Sequence, residues 1–558
     1  MTLRAGVAAL AAGAIGIAVA CGQGSGGSKD VTPPADAGAD SGVDAGTDAG
    51  ADAGDAGIDK GDAGIDAGID AGTDGGTDGG ADGGTDGGAD GGAWHRGAVI
   101  TVPNDDGWRF SSDGLPSGSV MGASADESGN IWVAGGAAGV FVQRGGSGRF
   151  QQFTIADGLH PYGYLPDGSP SESSPSLDGT PALSISGGPG ASAFVGYGGK
   201  PGCEDEWDRY GDDHAKADPS IYKSGDADKV VLAGSGIRVA HYDIFSGPGV
   251  VGNEPAGREK LCSVFRIVWQ RGSRYVWFGA SHGFALGFAD FGGNPYCNGE
   301  LACAGVWEHV HPGVNDIHGW LISDYYYGVA VDTWPHTDKA GNAFFDVWFG
   351  GFVRTTRFRF GETFGDYWAA QPLTELYASS GHDPANIADD PAAQAAYWNR
   401  MDIWPDPVGE RRDPANGNWL SSDPDFADKS QWVFDNVSGI AVLQNGDAWI
   451  GSSSNGLRIV DHDGHFRADA TSVLPSKRVG AVAKDPTDES IWIGYRDGSG
   501  VTRIKQDGTV MLYRSAALGS RAGSAVWDIQ VQPASGRGDT RRILVAFRSG
   551  AIGVYDGE

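Results

Sequence analysis

Histidines near the middle of the chain are the first side chains whose type and spacing could bind a metal ion. A single residue separates His309 from His311, and His318 and His336 follow downstream. Alternate side chains of a β-strand point to the same face, so His309 and His311 could bind one ion together. However, Pro312 indicates that a strand ends here, and no carboxylate stands at a defined offset. We therefore interpret these histidines as loop residues and predict no metal site.

A second candidate is an acidic segment that surrounds a tryptophan. Residues 203–208 read Cys-Glu-Asp-Glu-Trp-Asp, and two further aspartates and a histidine follow at 212–214. Paired carboxylates can bind a cation or act as general acid and base. Either use needs a fixed separation, which clustering in sequence does not define. We interpret the segment as a solvated loop held by Cys203.

The largest group of aromatic residues without strand periodicity lies at about 361–432. Aromatic faces flanked by Asp and Asn suit sugar rings or a peptide partner. The same rings could instead pack this long insertion onto the rest of the domain. The candidate ligand-binding residues are Trp368, Trp398, Trp404 and Trp419.

Composition and motifs exclude several functions. The chain has no G-x-S-x-G, H-E-x-x-H or P-loop pattern. Its 40 Lys and Arg stand against 72 Asp and Glu, a formal net charge of −32. Such acidity disfavours the phosphate backbone, whose binding depends on basic side chains. We predict no nucleic-acid partner and no catalytic residue, and we leave enzymatic activity open with a non-enzymatic role preferred.

The N-terminus has the pattern of an export signal. Arg4 precedes an apolar run over residues 5–20, which is too short to span a bilayer comfortably. The run ends at Cys21 and resembles the lipobox of bacterial lipoproteins, although Ala18 stands where leucine is commonest. The resemblance implies removal of residues 1–20, a diacylglyceryl and an N-acyl chain on Cys21, and, with Gly22 next, an outer-membrane location facing the periplasm or the cell surface.

Residues 21–93 are rich in Asp, Gly and Ala and repeat Asp about every four residues. Almost nothing in this segment can be buried, so nothing offsets the entropy cost of ordering it. We predict a disordered linker with an end-to-end distance of roughly 45 Å. Calcium is a possible ligand of its carboxylates, but the nine-residue pattern of calcium-binding β-rolls is absent, and we predict no cofactor.

A short pattern recurs from residue 94 onward: a β-rich run with an aromatic residue, then Gly, a polar loop and a second β-rich run. Trp449 and Trp492 are 43 residues apart, within the length of one propeller blade. The pattern predicts an all-β fold, a β-propeller over residues 94–558 with insertions at about 203–228 and 361–432. We predict seven four-stranded blades, with eight as the alternative, because only 37 residues separate the copies at Phe194 and Leu232. The residues predicted to pack between blades are Trp132, Trp277, Trp348, Trp449 and Trp492.

Two segments resemble the propeller repeat of two-component regulators. They are ESGNIWVAGGAAGVFV, which contains Trp132, and NGDAWIGSSSNGLRIVD, which contains Trp449. The resemblance implies the propeller fold; modules of this family often act as extracellular sensors. The threonine that follows the W-x-G motif in the family is missing here.

The ring and its cross-links can also be predicted. A strand at residues 107–110 is expected to pair with the last strand, near 552–555, because this removes an exposed sheet edge. Four cysteines remain besides Cys21, and an even number in an exported chain favours disulfides. Cys297 and Cys303 share one loop, so we pair them and pair Cys203 with Cys262.

These observations favour a lipid-anchored binding module for a glycan, peptide or protein partner, with the two insertions contributing to one face. One alternative is a propeller-fold hydrolase or lyase that acts on envelope or extracellular polymers through carboxylates near the central channel. A second alternative is a structural or adhesion component of the envelope. The oligomeric state is not predicted.

Overall fold

Strands dominate the part of the chain that can be described. The computed structural model describes residues 98–104, 107–165, 169–206, 216–242, 262–281, 283–291, 306–310, 326–332, 336–337, 343–344, 346–351, 355–358, 400–403, 436–462, 466–532 and 541–557. All of them belong to the unit Asp86–Glu558. Within these residues, no helix has the length and hydropathy needed to cross a membrane.

Seven sheets contain four or five strands each, and we number them blades 1 to 7 along the chain from residue 122. Blade 1 contains β3 (Gly122–Ala125), β4 (Ile131–Ala134), β5 (Val140–Gln143) and β6 (Gln151–Phe153), and blade 2 contains β7 (Ala182–Gly187), β8 (Ser192–Tyr197), β9 (Ala227–Ala233) and β10 (Gly236–Tyr242). Blade 3 contains β11 (Val264–Trp269), β12 (Tyr275–Ala280), β13 (Gly283–Phe288) and β14 (Val306–Val310), and blade 4 contains β15 (Tyr326–Val331), β18 (Val347–Gly351), β19 (Thr355–Phe358) and β20 (Arg400–Ile403). Blade 5 contains β21 (Val437–Val442), β22 (Ala448–Ser452), β23 (Gly456–Val460) and β24 (Phe466–Asp469). Blade 6 contains β25 (Val479–Lys484), β26 (Ile491–Tyr495), β27 (Val501–Ile504), β28 (Thr509–Tyr513) and β1 (Val99–Thr101), and blade 7 contains β29 (Val526–Gln532), β30 (Arg542–Phe547), β31 (Ala551–Tyr555) and β2 (Trp108–Ser111).

The remaining described elements are short. A two-stranded ribbon of β16 (His336–Thr337) and β17 (Ala343–Phe344) lies between β15 and β18 in the chain. The α-helical turns are α1 (Cys203–Glu206), α2 (Pro219–Tyr222) and α3 (Ser515–Leu518). Single 3-10 turns occur at Arg144–Gly146, Ile155–Asp157, Thr471–Val473 and Gly519–Gly523.

The first strand of each blade contacts the first strand of the next, and β29 of blade 7 contacts β3 of blade 1, so the blades form a closed ring. The predicted all-β propeller is therefore confirmed. Phe194 on β8 and Leu232 on β9 belong to the same sheet, as expected from their short separation. The predicted closure is also present: β2 pairs antiparallel with β31, with Trp108 opposite Tyr555.

Burial explains why the strands read as continuous apolar runs. Every residue of β4 is buried, as is every residue of β22 and β26. A sheet covered on both faces does not show the apolar–polar alternation of a half-exposed strand. The five predicted tryptophans lie on the second strand of their blades and are at most 2% exposed.

Glycine at the start of the third strand has a steric cause. Gly139 and Gly500 both have positive φ, +92° and +89°. A Cβ atom at Gly139 would lie 2.3 Å from the carbonyl oxygen of Phe153, and at Gly500 the same distance from that of Tyr513. Both the conformation and the close approach of the fourth strand therefore require glycine.

Candidate functional site

Most of the residues singled out from the sequence lie outside the described ranges. These are Cys21, Cys297, Cys303, Trp368, Trp398, Trp404 and Trp419, together with His311 and His318. The backbone places His309 on β14 and His336 on β16. The insertion after β8, in contrast, is described in large part, and it forms a site that the sequence analysis did not recognise.

A disulfide fixes this insertion. Cys203, the first residue of α1, is bonded to Cys262, just before β11, with a Cα–Cα distance of 6.0 Å. This is the pairing that the sequence analysis left for these two cysteines. Glu206, expected in a solvated loop, is only 4% exposed, and its Oε1 accepts a hydrogen bond from the backbone N–H of Asp218 at 3.2 Å. Glu206 is therefore packed within the described part of the insertion rather than solvated.

Beside the disulfide, Asp228 is the centre of a buried polar network. It lies on β9 directly opposite His241 on β10, and its Oδ1 is 2.9 Å from His241 Nδ1. Its Oδ2 accepts hydrogen bonds from the hydroxyl of Tyr197 at 2.6 Å and from the backbone N–H of His160 at 2.7 Å. Asp228 is fully buried, so these donors compensate its loss of hydration.

A second carboxylate approaches the other side of the same imidazole. Asp226 Oδ2 lies 4.0 Å from His241 Nε2, and both side chains are 1% exposed. His241 therefore lies between two aspartates, with one carboxylate near each ring nitrogen. Asp228 and His241 also form the carboxylate–imidazole pair that many enzymes use to orient a general base.

Aromatic rings cover this network on the side of the loop that precedes β7. The His160 ring is 3.8 Å from the Tyr162 ring and 4.2 Å from the Tyr164 ring, centroid to centroid, and 4.9 Å from the His241 ring. His160 is buried, whereas both tyrosines are half-buried. Each tyrosine is partly exposed to solvent, and the buried His160 ring packs against both of them.

The backbone around the network is strained in two places. Asp226 has φ = 60° and Cys262 has φ = 49°, backbone conformations that residues other than glycine rarely adopt. The Asp226 N–H donates to the Cys262 carbonyl oxygen at 2.7 Å, so the two strained residues hold each other. Such strain persists only where the surroundings enforce it, and it concentrates at functional sites.

Protonation of the two tyrosines nearest Asp228 follows from burial. Burial raises the pKa of Tyr197 well above its ordinary value, and the charge of Asp228 raises it further. The pKa of Tyr162 is raised by the same two causes in the same order. Both hydroxyls therefore keep their protons at neutral pH, and Tyr197 remains a donor to Asp228.

The central channel has a different character, because an arginine crosses it. Arg266 on β11 forms an ion pair with Asp528 on β29, and its guanidinium also donates to the Trp527 carbonyl oxygen at 3.3 Å. Asp528 Oδ2 accepts from the backbone N–H of Ala123 at 3.2 Å. This channel carboxylate is thus already paired with a guanidinium group, and it is 3% exposed.

Comparisons with known proteins found distant structural similarity alone. No family model matches the chain, and no curated protein matches it. Among solved structures, Saccharomyces cerevisiae Sqt1 is 10% identical with a TM-score of 0.39, over 82% of this chain and 100% of that chain. A streptogramin B lyase is 12% identical with a TM-score of 0.39, over 80% of this chain and 97% of that chain. YCF48 bound to a D1 peptide is 10% identical with a TM-score of 0.40, over 82% and 100%.

Sequence reasoning missed the blade 2 site because its members are dispersed. The signal that could have found it is Asp226-x-Asp228 at the start of a strand, followed by His241 on the next strand at hairpin distance. Register across a hairpin places such residues opposite each other. His160 comes from the preceding loop, and no spacing rule connects it to the hairpin.

Proposed function

We propose that this chain is a binding protein of the cell envelope, held at the outer membrane by a lipid on Cys21, and that it binds a glycan at the blade 2 site. Tyr162 and Tyr164 supply the contact surface. The observation that carries the proposal is that two partly exposed tyrosines are packed against a buried His–Asp network.

Rigidity supports a binding role. Ordering a flexible loop on binding costs free energy, and a loop held beforehand avoids that cost. Here Gly163 N–H donates to the Lys223 carbonyl oxygen at 2.7 Å, and Gly225 N–H donates to that of Pro161 at 3.2 Å. Lys200 and Glu172 form a further ion pair across the same two loops. The loop that carries the tyrosines is thus tied to the disulfide-bonded insertion.

Chemistry favours a sugar over other ligands. Tyrosine offers an apolar face for the C–H groups of a sugar ring and a hydroxyl for its polar edge. The formal charge of −32 disfavours anionic ligands. A neutral or cationic glycan fits both properties.

The test is to screen the full chain on a glycan array and to measure the dissociation constant of any ligand by calorimetry. The double variant Tyr162→Ala/Tyr164→Ala should weaken binding about tenfold or more, as is typical of buried aromatic contacts. Tyr162→Phe/Tyr164→Phe keeps both rings and is the matched control, with a smaller loss expected. Unchanged affinity in the alanine variant, or binding only to a peptide or protein, would contradict the proposal.

The anchor is tested separately. Cys21→Ala should move the protein from the membrane fraction to the soluble fraction after expression in a bacterium with an outer membrane. Sedimentation of this variant with membranes, as for the unmodified sequence, would exclude a lipid on Cys21 as the anchor.

A second candidate function is favoured by one observation, the 2.9 Å contact between Asp228 and His241. In a hydrolase or lyase this pair would act as the general base. Turnover of a bound glycan that is lost in His241→Gln, while the affinity stays unchanged, would establish the enzyme. Binding without product release would leave the binding role.

A further inference from the structure

A cluster of three metal-ligating side chains lies between blades 4 and 5, apart from the blade 2 site. Asp332 follows β15 directly, Asp346 immediately precedes β18, and His462 comes two residues after β23 of the neighbouring blade. Their exposed fractions are 1%, 0% and 4%. In the described part of the chain, it is the one group of three or more His, Cys, Asp or Glu side chains whose ligand atoms converge in this way.

The distances are close to those of a coordination site. His462 Nε2 is 2.8 Å from Asp332 Oδ2 and 3.4 Å from Asp346 Oδ2. One ligand atom of each residue lies within 4.8 Å of the other two. Atoms bound tetrahedrally to one zinc ion at about 2.0–2.2 Å are about 3.4 Å apart. Small side-chain adjustments would therefore bring the three atoms onto one ion.

Neighbouring hydrogen bonds hold the carboxylates in place. Trp348 Nε1 donates to Asp332 Oδ2 at 3.1 Å, and the Asp332 backbone N–H donates to the Asp346 carbonyl oxygen at 2.9 Å. Partners of this kind orient metal ligands in proteins.

Blade 1 has one carboxylate at the two equivalent positions, where a short turn joins the strands. There Asp126 follows the first strand, Asn130 precedes the second, and Trp132 Nε1 donates to Asp126 Oδ2 at 2.7 Å. Asn130 Nδ2 donates to the same oxygen at 2.8 Å. Asn130 and Asp346 both stand two residues before the tryptophan. Blade 4 thus replaces an amide donor with a second buried carboxylate.

Two buried carboxylates repel each other and have lost their hydration, and a cation bound between them reduces both costs. Lys484 on β25 is near enough to interact with Asp332, but its Nζ also lies 3.9 Å from Glu489 Oε1.

We propose that Asp332, Asp346 and His462 bind one divalent transition-metal ion, zinc or manganese, through a carboxylate oxygen of each aspartate and Nε2 of the histidine. One imidazole and two carboxylates suit these ions, whereas calcium and magnesium prefer all-oxygen sites. With all three ligands buried, the ion has a structural role. It joins blade 4 to blade 5 and closes the 116-residue stretch between Asp346 and His462 (462 − 346).

The test uses the full chain, treated with a chelator and then titrated with zinc, manganese, calcium or magnesium. We expect one zinc or manganese ion per chain by mass spectrometry of the metal. We also expect a rise of about 3 °C in the unfolding temperature at a hundredfold excess over Kd. The variant Asp346→Asn reproduces the residue set of blade 1, so it should fold but bind no ion and show no shift. His462→Gln should behave in the same way.

Two controls keep the result interpretable. Asn130→Asp creates a second carboxylate in blade 1 without a histidine opposite, and it should not gain an ion. Metal binding that persists in both Asp346→Asn and His462→Gln would place the ion elsewhere and overturn the proposal. Equal unfolding temperatures of the unmodified chain with and without each metal would overturn it as well.

Discussion

Blades 1 and 6 compensate a buried aspartate in different ways. In each, an aspartate follows the first strand and a polar residue stands two positions before the tryptophan of the second strand. In blade 1, Asp126 is satisfied within its own turn by Asn130 and Trp132. In blade 6, Asp485 is fully buried and pairs with Arg541 of blade 7, whose Nε is 3.0 Å from Asp485 Oδ2. Asp485 also accepts a hydrogen bond from the Thr487 N–H at 2.9 Å. One turn is therefore self-contained, and the other adds a cation from the next blade to a bond within the turn.

The difference teaches that the turn can serve two purposes. A turn that satisfies its own aspartate stabilises one blade. A turn that takes a cation from the neighbouring blade also joins two blades. Blade 4 is also joined to its neighbour, because His462 of blade 5 contacts Asp332.

The largest effect should come from the tryptophan that the turns have in common. Trp132→Ala and Trp348→Ala each remove a fully buried indole and should each destabilise the fold by about 3–5 kcal/mol. Unfolding in denaturant measures the effect. Similar losses would show that the indoles are equivalent in the two blades; a loss below 1 kcal/mol in either would contradict their role between blades.

A somewhat smaller effect is expected at the contact between blades 6 and 7. Arg541→Ala leaves Asp485 buried without its cation and should cost about 3 kcal/mol. Adding Asp485→Asn should recover part of that loss, because no charge remains to be compensated. A double-mutant cycle with no coupling between the two positions would show that the blades do not depend on this pair.

Asn130→Asp should convert the self-contained turn into an unbalanced one. The variant loses the amide donor to Asp126 and buries a second carboxylate, at a cost of about 1–3 kcal/mol. Chemical denaturation at neutral pH checks the value. A stability equal to that of the unmodified chain would mean that the turn tolerates a second charge without help from another blade.

The smallest effect concerns pH. Burial raises the pKa of Asp126, and the hydrogen bonds from Asn130 and Trp132 only partly oppose the rise. A raised folded-state pKa contributes stability below the unfolded pKa of about 3.8, and this contribution is lost as the pH rises through the folded value. The stability of the unmodified chain relative to Asp126→Asn should therefore fall as the pH rises from below 3.8. An opposite slope would show that the hydrogen bonds outweigh the desolvation.

The fold could be predicted from the sequence because its signals are local and repeated. Trp132 and Trp449 stand in similar short segments, and in both a glycine with positive φ, Gly139 or Gly456, stands where the third strand begins. The pairing of β2 with β31 could be predicted because a ring needs closure. Each of these inferences uses neighbours in sequence or a general property of sheets.

The sites could not be predicted in the same way. Asp346 and His462 meet only because blades 4 and 5 are adjacent. The two residues are 116 positions apart in the sequence (462 − 346). His160 reaches Asp228 through a backbone N–H, which any residue type could supply. Glu206 looked like a solvated acid until its packing in α1 was known. Contacts between residues that are far apart in the sequence leave little trace in composition or spacing.

The first described residues join the ring through two successive edge strands, β1 and β2. β1 lies at the edge of blade 6 through three residue pairs with β28, and more than half of the surface of Val99 and Ile100 is exposed. β2 follows at the edge of blade 7, where Trp108 packs against Trp492, Tyr513 and Tyr555. A force applied from the N-terminal side should therefore separate β1 from β28 first, before β2 leaves blade 7 and the ring opens.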